Sequence, residues 1–461
     1  MNEAQPGLRM SSRIFFWSIT SALAGFLFGF DTVVISGAEQ KIQSLWRLSA
    51  GMHGIATASA LYGTVIGALL GGWPTDRFGR KLTLLGIGLL YIVSAVWSSL
   101  AVDVYSFIAA RLIGGLGIGI STVAAPLYIS EIAPAGYRGR LAGMFQFNIV
   151  FGIVIAYLSN ALLAGTSDSA WRWMLGVAAF PSVLYTLCCL LIPESPRWLL
   201  VIKGNRQAGA RVLKLIEPNA PEEKIASEAE AILAASAVKA VSGNFWSSSL
   251  RVPILLAFFV SLFNQLSGIN AILYFAPRIF EMTGLGTQAA LLQSVGIGIV
   301  NLIFTLIGLW LIDRLGRRTL LYIGSFGYIA SLGLIAWAFF TEHYSVVPIC
   351  VFAFIAAHAV GQGTVMWVLI SEIFPNKHRA EGQALGSSTH WICAALLTTL
   401  FPKMMTVFAP GYVFLFFCFM MVLQLIWVGT MLIETKGVPL EHIQRRLGIG
   451  YDAASVPPKT Y

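Results

Sequence analysis

Asp31 is the one charged residue in a long apolar run, Ala24-Gly25-Phe26-Leu27-Phe28-Gly29-Phe30-Asp31-Thr32-Val33-Val34-Ile35-Ser36-Gly37. If this run crosses a bilayer, Asp31 lies well away from both ends. An ionised Asp at a helix centre costs about 2.5–3.5 kcal/mol, and such residues usually line a water-filled path and keep a partner. Arg111, enclosed by apolar residues in the run 104–129, is the expected cation. Two readings share these residues: a working pair on an ion or proton path, or a packed ion pair that only fixes helix register.

The elements that must hold them are membrane spans. The chain has 461 residues, 57% of them hydrophobic and only 11% charged, against roughly 25% charged for an average soluble domain. Too little charge is present to cover a water-soluble protein of this size. Apolar runs of span length fall near 14–35, 54–73, 82–101, 104–129, 141–163, 173–192, 252–277, 288–311, 319–340, 346–373, 383–407 and 411–433. The expected fold is therefore an all-α membrane protein with twelve transmembrane helices and the lipid bilayer as its solvent.

A net charge of +9 could point to nucleic acid, but the basic residues form short clusters between apolar runs. Most of the 30 Lys and Arg lie in the tails and in the connections after spans two, four, six, eight and ten. That is the positive-inside pattern and puts both termini in the cytoplasm. No cleavable leader is evident, and no Asn-x-Ser/Thr acceptor occurs, which fits a bacterial inner membrane. Cys188, Cys189, Cys350, Cys393 and Cys418 lie in apolar segments with no ligand spacing, so neither disulfides nor a metal is expected. No cofactor is indicated. Gly114-Gly115-Leu116-Gly117-Ile118-Gly119 has the glycines of a nucleotide fingerprint but no strand–turn–helix around it. In an apolar span it allows close helix packing instead.

The expected organisation is a six-helix half over 1–192, a cytoplasmic linker over 193–251, a second half over 252–433 and a polar cytoplasmic tail over 434–461. Within the linker, Arg206–Leu215 and Pro221–Ala237 have helical composition, a short cytoplasmic helical insert. The halves repeat one another. Asp76-Arg77-Phe78-Gly79-Arg80-Lys81 recurs as Asp313-Arg314-Leu315-Gly316-Arg317-Arg318. Ser130-Glu131, with Pro134 and Arg138 following, recurs as Ser371-Glu372, with Pro375 and Arg379 following. Pro193-Glu194 has a weaker echo in Ile433-Glu434. The offset is about 240 residues in each pair and the order is kept. A parallel repeat of six spans, with its site between the halves, is a transporter architecture.

These motifs resemble the sugar porter family of the major facilitator superfamily over essentially the whole chain. The Asp-Arg-x-Gly-Arg turns are superfamily-wide. Pro-Glu-Ser-Pro-Arg-Trp-Leu (193–199), Gln-Leu-Ser-Gly-Ile-Asn (265–270), Ala110-Arg111 in span four and Trp367 before Ser371-Glu372 are far more specific. The resemblance implies two pseudo-symmetric halves and a monosaccharide substrate. A pyranose offers a ring of hydroxyls and one apolar face, so its site needs amides and aromatic faces. Asn264, Gln265, Asn270 and Asn301 are amides in apolar spans. By resemblance Gln146, Gln265, Asn270, Asn301 and Trp367 line the substrate site, with His390 and Trp391 beside them. Tyr274, between Gly268 and Pro277, looks like an extracellular gate residue, with simple packing as the plainer reading.

Several positions depart from the family pattern. Asn264 stands where Gln is common. Ile153 resembles glucose facilitators more than xylose symporters and leans toward a hexose. His390 replaces an amide: it could titrate near neutrality, or it could be a neutral imidazole standing in for that amide. Span ten reads Gly361-Gln362-Gly363-Thr364-Val365-Met366-Trp367, without the usual prolines.

In the repeated turns, Gly permits a tight reversal and the cations face helix C-termini and carboxylates. Asp76, Arg77, Arg80, Glu131, Arg138, Glu194, Asp313, Arg314, Arg317, Glu372, Arg379 and Glu434 are expected to form salt-bridge networks that close the cytoplasmic side. If loosely packed, each pair is worth about 0–1 kcal/mol, which suits a latch that opens every cycle. A purely topogenic signal is the other reading.

In the family an Asp at the position of Asp31 goes with proton symport. The expectation is a monomeric secondary transporter that imports a monosaccharide with a proton by alternating access. A proton-independent uniporter with a structural Asp31 is the alternative, and a transporter-like sugar sensor a more distant one. No metal spacing, activated nucleophile or carboxylate dyad argues for an enzyme.

Overall fold

The computed structural model describes residues 11–134, 137–237, 245–375, 377–438 and 440–447. Among these there are helices and no strand. Twelve helical segments are long and apolar enough to cross a membrane. Spans one to six are Ser12–Gly37, Ala50–Leu70, Arg80–Leu100, Val104–Ile132, Gly143–Leu163 and Ala170–Leu191. Spans seven to twelve are Ser248–Glu281, Thr287–Leu315, Arg317–Thr341, Tyr344–Ile373, Arg379–Val407 and Pro410–Thr430. Polar caps start several of them. Ser11 accepts from the amide of Arg13 at 3.3 Å ahead of span one, and Asp103 accepts from Tyr105 and Ser106 ahead of span four. Large apolar residues such as Leu69, Leu100 and Phe180 are left exposed on the outer faces, as lipid-facing helices require.

The chain divides into two compact units at 239/240. In the first, spans two and four meet through glycine. A β-carbon on Gly115 would run into the Ala60 carbonyl, and one on Gly63 into the Leu112 carbonyl. The glycine-rich stretch of span four is thus a packing surface. The short helices Pro196–Val201, Arg206–Ile216 and Glu222–Ala237 share a small core of Leu200, Leu213, Ala220, Ile225 and Ala229 and belong to this unit.

In the second unit, two spans are broken. Span seven divides into Arg251–Leu266 and Ile269–Glu281 around Gly268, whose φ of 86° a side chain would resist. It kinks again at Phe275, two residues before Pro277. Span ten divides into Val347–Val360 and Gln362–Ile373. With no proline at the break, it turns at Gly361 (φ −87°, ψ −100°), where the backbone lies against Gly324 of span nine.

Candidate functional site

Asp31 and Arg111 are both enclosed, 5% and 2% exposed. Arg111 Nη1 donates to Asp31 Oδ1 at 2.5 Å and Nη2 to the Asp31 carbonyl at 2.9 Å. Asp31 Oδ2 and Arg111 Nε have no hydrogen-bond partner. The acid therefore faces protein and keeps one oxygen open. The α-helix begins at Ser12 and ends at Val34, where it gives way to a 3₁₀ turn at Ile35–Gly37. Asp31 thus lies in the second half of span one, which the 3₁₀ turn carries on to Gly37.

Four amide and imidazole residues predicted from separate positions come together in the second unit. Asn270 Nδ2 donates to Gln265 Oε1 at 2.9 Å, and Gln265 Nε2 donates to Asn264 Oδ1 at 3.0 Å. The same Nε2 lies 3.1 Å from His390 Nδ1 and 3.2 Å from His390 Nε2. The break at Gly268 makes this possible, since it turns Asn270 back toward Gln265. With its oxygen engaged by Asn270, Gln265 offers His390 only N–H groups. That suits an unprotonated ring nitrogen, which favours the reading of a neutral imidazole in an amide's place. Trp367 and Trp391 flank it, with ring centroids 5.3 and 4.6 Å from that of His390. The result is a row of polar groups against indole faces.

Asn301 stays outside this row. It is buried and accepts from Thr305 on its own helix at 3.4 Å. Gln146 lies half-buried in span five of the first unit, and Tyr274 is enclosed in the second.

The repeated turns are built alike. Arg80 donates from Nε and Nη2 to both oxygens of Glu131, at 2.8 and 2.9 Å. Arg317 does the same to Glu372, at 3.1 and 2.7 Å. Asp76 and Asp313 add longer, outward contacts at 3.3 and 3.2 Å. The first is not a loose surface pair, because the Arg80 and Glu131 side chains are 7% and 3% exposed, whereas Glu372 in the second is 27% exposed. Removing one partner from such a pair strands a buried charge.

Glu194 and Glu434 act differently from the expectation. They accept backbone amides at the starts of spans three and nine (Arg80 and Lys81 for Glu194, Arg317 and Arg318 for Glu434) and from the residues that follow each glutamate, Ser195 and Thr435 with Lys436. They are helix caps. Arg77 and Arg314 also stay out of the networks, standing over the rings of Trp73 and Trp310 at 5.7 and 3.8 Å. Arg379 makes no ion pair among the described residues, and the Arg138 side chain lies outside them.

Sequence reasoning missed several polar contacts. Gln362 donates to Gln424 at 2.7 Å and Gln424 to Ser325 at 2.8 Å, a buried chain behind the span-ten break. Tyr328 Oη lies 2.6 Å from His358 Nδ1, and Gln383 donates to the Trp367 carbonyl at 3.2 Å. Thr435 donates to Glu372 at 2.6 Å. The signal for the glutamines was present, since they are amides in apolar spans just as Gln265 is.

Comparison with known proteins places this geometry. The family profile described as sugar (and other) transporter matches residues 17–447. The chain is 35% identical to the arabinose-proton symporter of Bacillus subtilis, over 93% of this chain and 94% of that protein. It is 32% identical to the D-xylose-proton symporter of Escherichia coli, over 94% and 96%. The inward-open structure of the xylose transporter XylE from E. coli superposes with a TM-score of 0.83 at 30% identity, over 94% of this chain and 99% of that one. With twelve spans of major facilitator type, the chain is a membrane transporter, not an enzyme, and belongs to the sugar (and other) transporter family.

Proposed function

We propose that the chain carries a monosaccharide together with a proton by alternating access, with Asp31 as the proton-binding group. The observation that carries this reading is the Asp31–Arg111 pair, enclosed yet with Asp31 Oδ2 unpartnered. When Oδ2 takes up a proton, the carboxyl loses its attraction for the guanidinium. Arg111 keeps its bond to the Asp31 carbonyl, so spans one and four loosen without parting. The sugar binds at Asn264, Gln265, Asn270, Trp367, His390 and Trp391, with Gln146 and Asn301 as further contacts and Tyr274 as a gate. The named substrates of the relatives, arabinose and D-xylose, fit a row of amides beside indole faces. In this reading the halves are residues 1–192 and 252–433, joined by the linker. The protein is a monomer in the bacterial inner membrane with both termini in the cytoplasm, as the placement of its basic residues supports. The repeated cytoplasmic turns, with Arg138 and Arg379, hold that side closed in one state.

Proteoliposomes with an imposed proton gradient test this. Wild-type protein should accumulate labelled D-glucose, D-xylose or L-arabinose above the outside concentration, and uptake should alkalinise a lightly buffered medium. Asp31→Asn should keep counterflow exchange and lose accumulation. Accumulation by Asp31→Asn vesicles would reject the assignment, and wild-type exchange without any accumulation would leave a uniporter.

A further inference from the structure

Glu39 follows the 3₁₀ turn that ends span one and lies in the first turn of the short helix Glu39–Leu45. It meets His53 of span two, with Nε2 2.7 Å from Oε2 and both side chains at 0% exposure. Among the described residues no other contact between an acidic and a basic side chain is as enclosed. A carboxylate and an imidazole enclosed together are neutral as a unit when they hold one proton. Losing it leaves a buried negative charge, and gaining another a buried positive one.

Unpartnered polar atoms lie along span one between Asp31 and Glu39 and beside Asp31 itself. Ser36 Oγ, Asn160 Oδ1, Ser94 Oγ and Asp31 Oδ2 are all buried without a hydrogen-bond partner. Asn160 of span five packs on Gly37 and donates to the Val34 carbonyl at 3.0 Å, which places it beside span one between Asp31 and Glu39. Ser94 of span three packs on Gly114, where a β-carbon would lie 3.8 Å from Asp31 Oδ2. Buried polar atoms that the protein leaves unsatisfied are where ordered water is held.

The charged groups nearby are engaged elsewhere or face outward. Lys41 and Arg47 on the Glu39 segment are exposed, as are Asp103, Tyr105 and Asp168 at the ends of spans four and six. Arg172 stands over Trp171 and donates to the Ser99 carbonyl at 2.6 Å. Arg111 is paired with Asp31, and Tyr62 of span two is half-buried.

We propose that Glu39 and His53 form a second proton-binding site, which hands its proton to Asp31 past Ser36, Asn160 and Ser94. This rests on the reading of Asp31 as the coupling acid. The proton enters the pair from the water at that end of span one. It then passes to Asp31 Oδ2 and neutralises that carboxylate, and the pair stays negative until the same water refills it. Each step moves one proton and changes no other bond.

The test uses full-length protein in proteoliposomes with labelled D-glucose and, in parallel, labelled D-xylose. Glu39→Gln and His53→Gln keep size and hydrogen bonding while removing titration. Each should slow proton-driven uptake about ten-fold at an outside pH of 7.5, with recovery as that pH is lowered, while counterflow stays within about two-fold of wild type. Coupled uptake with the wild-type rate and pH profile in both variants overturns the proposal. So does an equal loss of coupled uptake and counterflow, which marks a packing role. Absence of proton-driven uptake in wild-type protein is a separate result and sinks the Asp31 reading instead.

Discussion

The carboxylate of Glu194 occupies the space that a β-carbon on Gly79 would need. Gly79 joins the end of span two to the start of span three with φ 92°, a region that L side chains resist, and Glu434 stands in the same relation to Gly316 at φ 90°. One residue type thus satisfies two demands in each repeat: the turn needs positive φ, and the cap needs close access to the amides beyond it.

Gly79→Ala and Gly316→Ala should therefore each lower stability. Positive φ alone costs an L residue about 1–2 kcal/mol, and displacing the cap adds to it. Gly86→Ala, where nothing lies within 4 Å, is the matched control. Thermal unfolding in detergent should separate the two turn variants from the control by several degrees. An alanine tolerated at both turns would contradict this geometry.

The two caps should respond to acid in opposite senses. Burial pushes the Glu194 carboxyl above its ordinary 4.5, and the amides of Ser195, Lys81 and Arg80 offset only part of the rise. Burial acts the same way on Glu434, but the amides of Lys436, Arg317, Arg318 and Thr435 outweigh it and hold the group below 4.5. Stability from ionised Glu434 is present above the ordinary carboxylate value and is lost as pH falls through its lowered one. For Glu194 stability is given up as pH rises from the ordinary value through the raised one. Glu434→Gln should thus lower Tm more than Glu194→Gln near neutrality, and the difference should shrink as pH falls from the raised value of Glu194 toward the lowered one of Glu434. Tm profiles of the two variants check this.

Arg111→Gln leaves the Asp31 carboxylate enclosed without its cation and should destabilise by about 3–5 kcal/mol. Adding Asp31→Asn removes the stranded charge and should recover most of that loss. If the double variant is no more stable than Arg111→Gln, the pair is not what balances the site. Denaturation of all three variants in one detergent gives the answer.

His390→Phe takes away an acceptor that Gln265 Nε2 uses. Sugar affinity should fall roughly ten-fold, matching about 1–1.5 kcal/mol for one unmade bond. His390→Asn, which restores an acceptor, should fall less. Because an unprotonated ring already suits Gln265, wild-type counterflow affinity should stay flat between about pH 6 and 8, away from any imidazole step. Competition binding across that range is the check.

Much of this architecture was legible beforehand because its causes are local. Runs of apolar residues mark spans, and the recurrence of Asp76–Lys81 at Asp313–Arg318 marks the duplication. The amides at 264, 265 and 270 could be read from polarity in apolar surroundings. Other features depend on partners distant in the chain. Glu194 and Glu434 sit among cations, so charge alone suggested ion pairs, and only the fold shows amides at their oxygens. Gly361 replaces proline as the break in span ten because Gly324 stands opposite it. Glu39 and His53 belong to different helices, and no periodicity links them.

The guanidinium groups over Trp73 and Trp310 have a consequence for how the protein rides in lipid. Both indoles are largely exposed, at 62% and 57%, and an exposed indole with a cation beside it is the kind of group that settles at a membrane–water interface. One such plate per repeat gives each six-helix bundle its own float line. Trimming either indole should let that bundle bob deeper or shallower, visible as a change in quenching of the remaining tryptophans by lipids brominated at known depths.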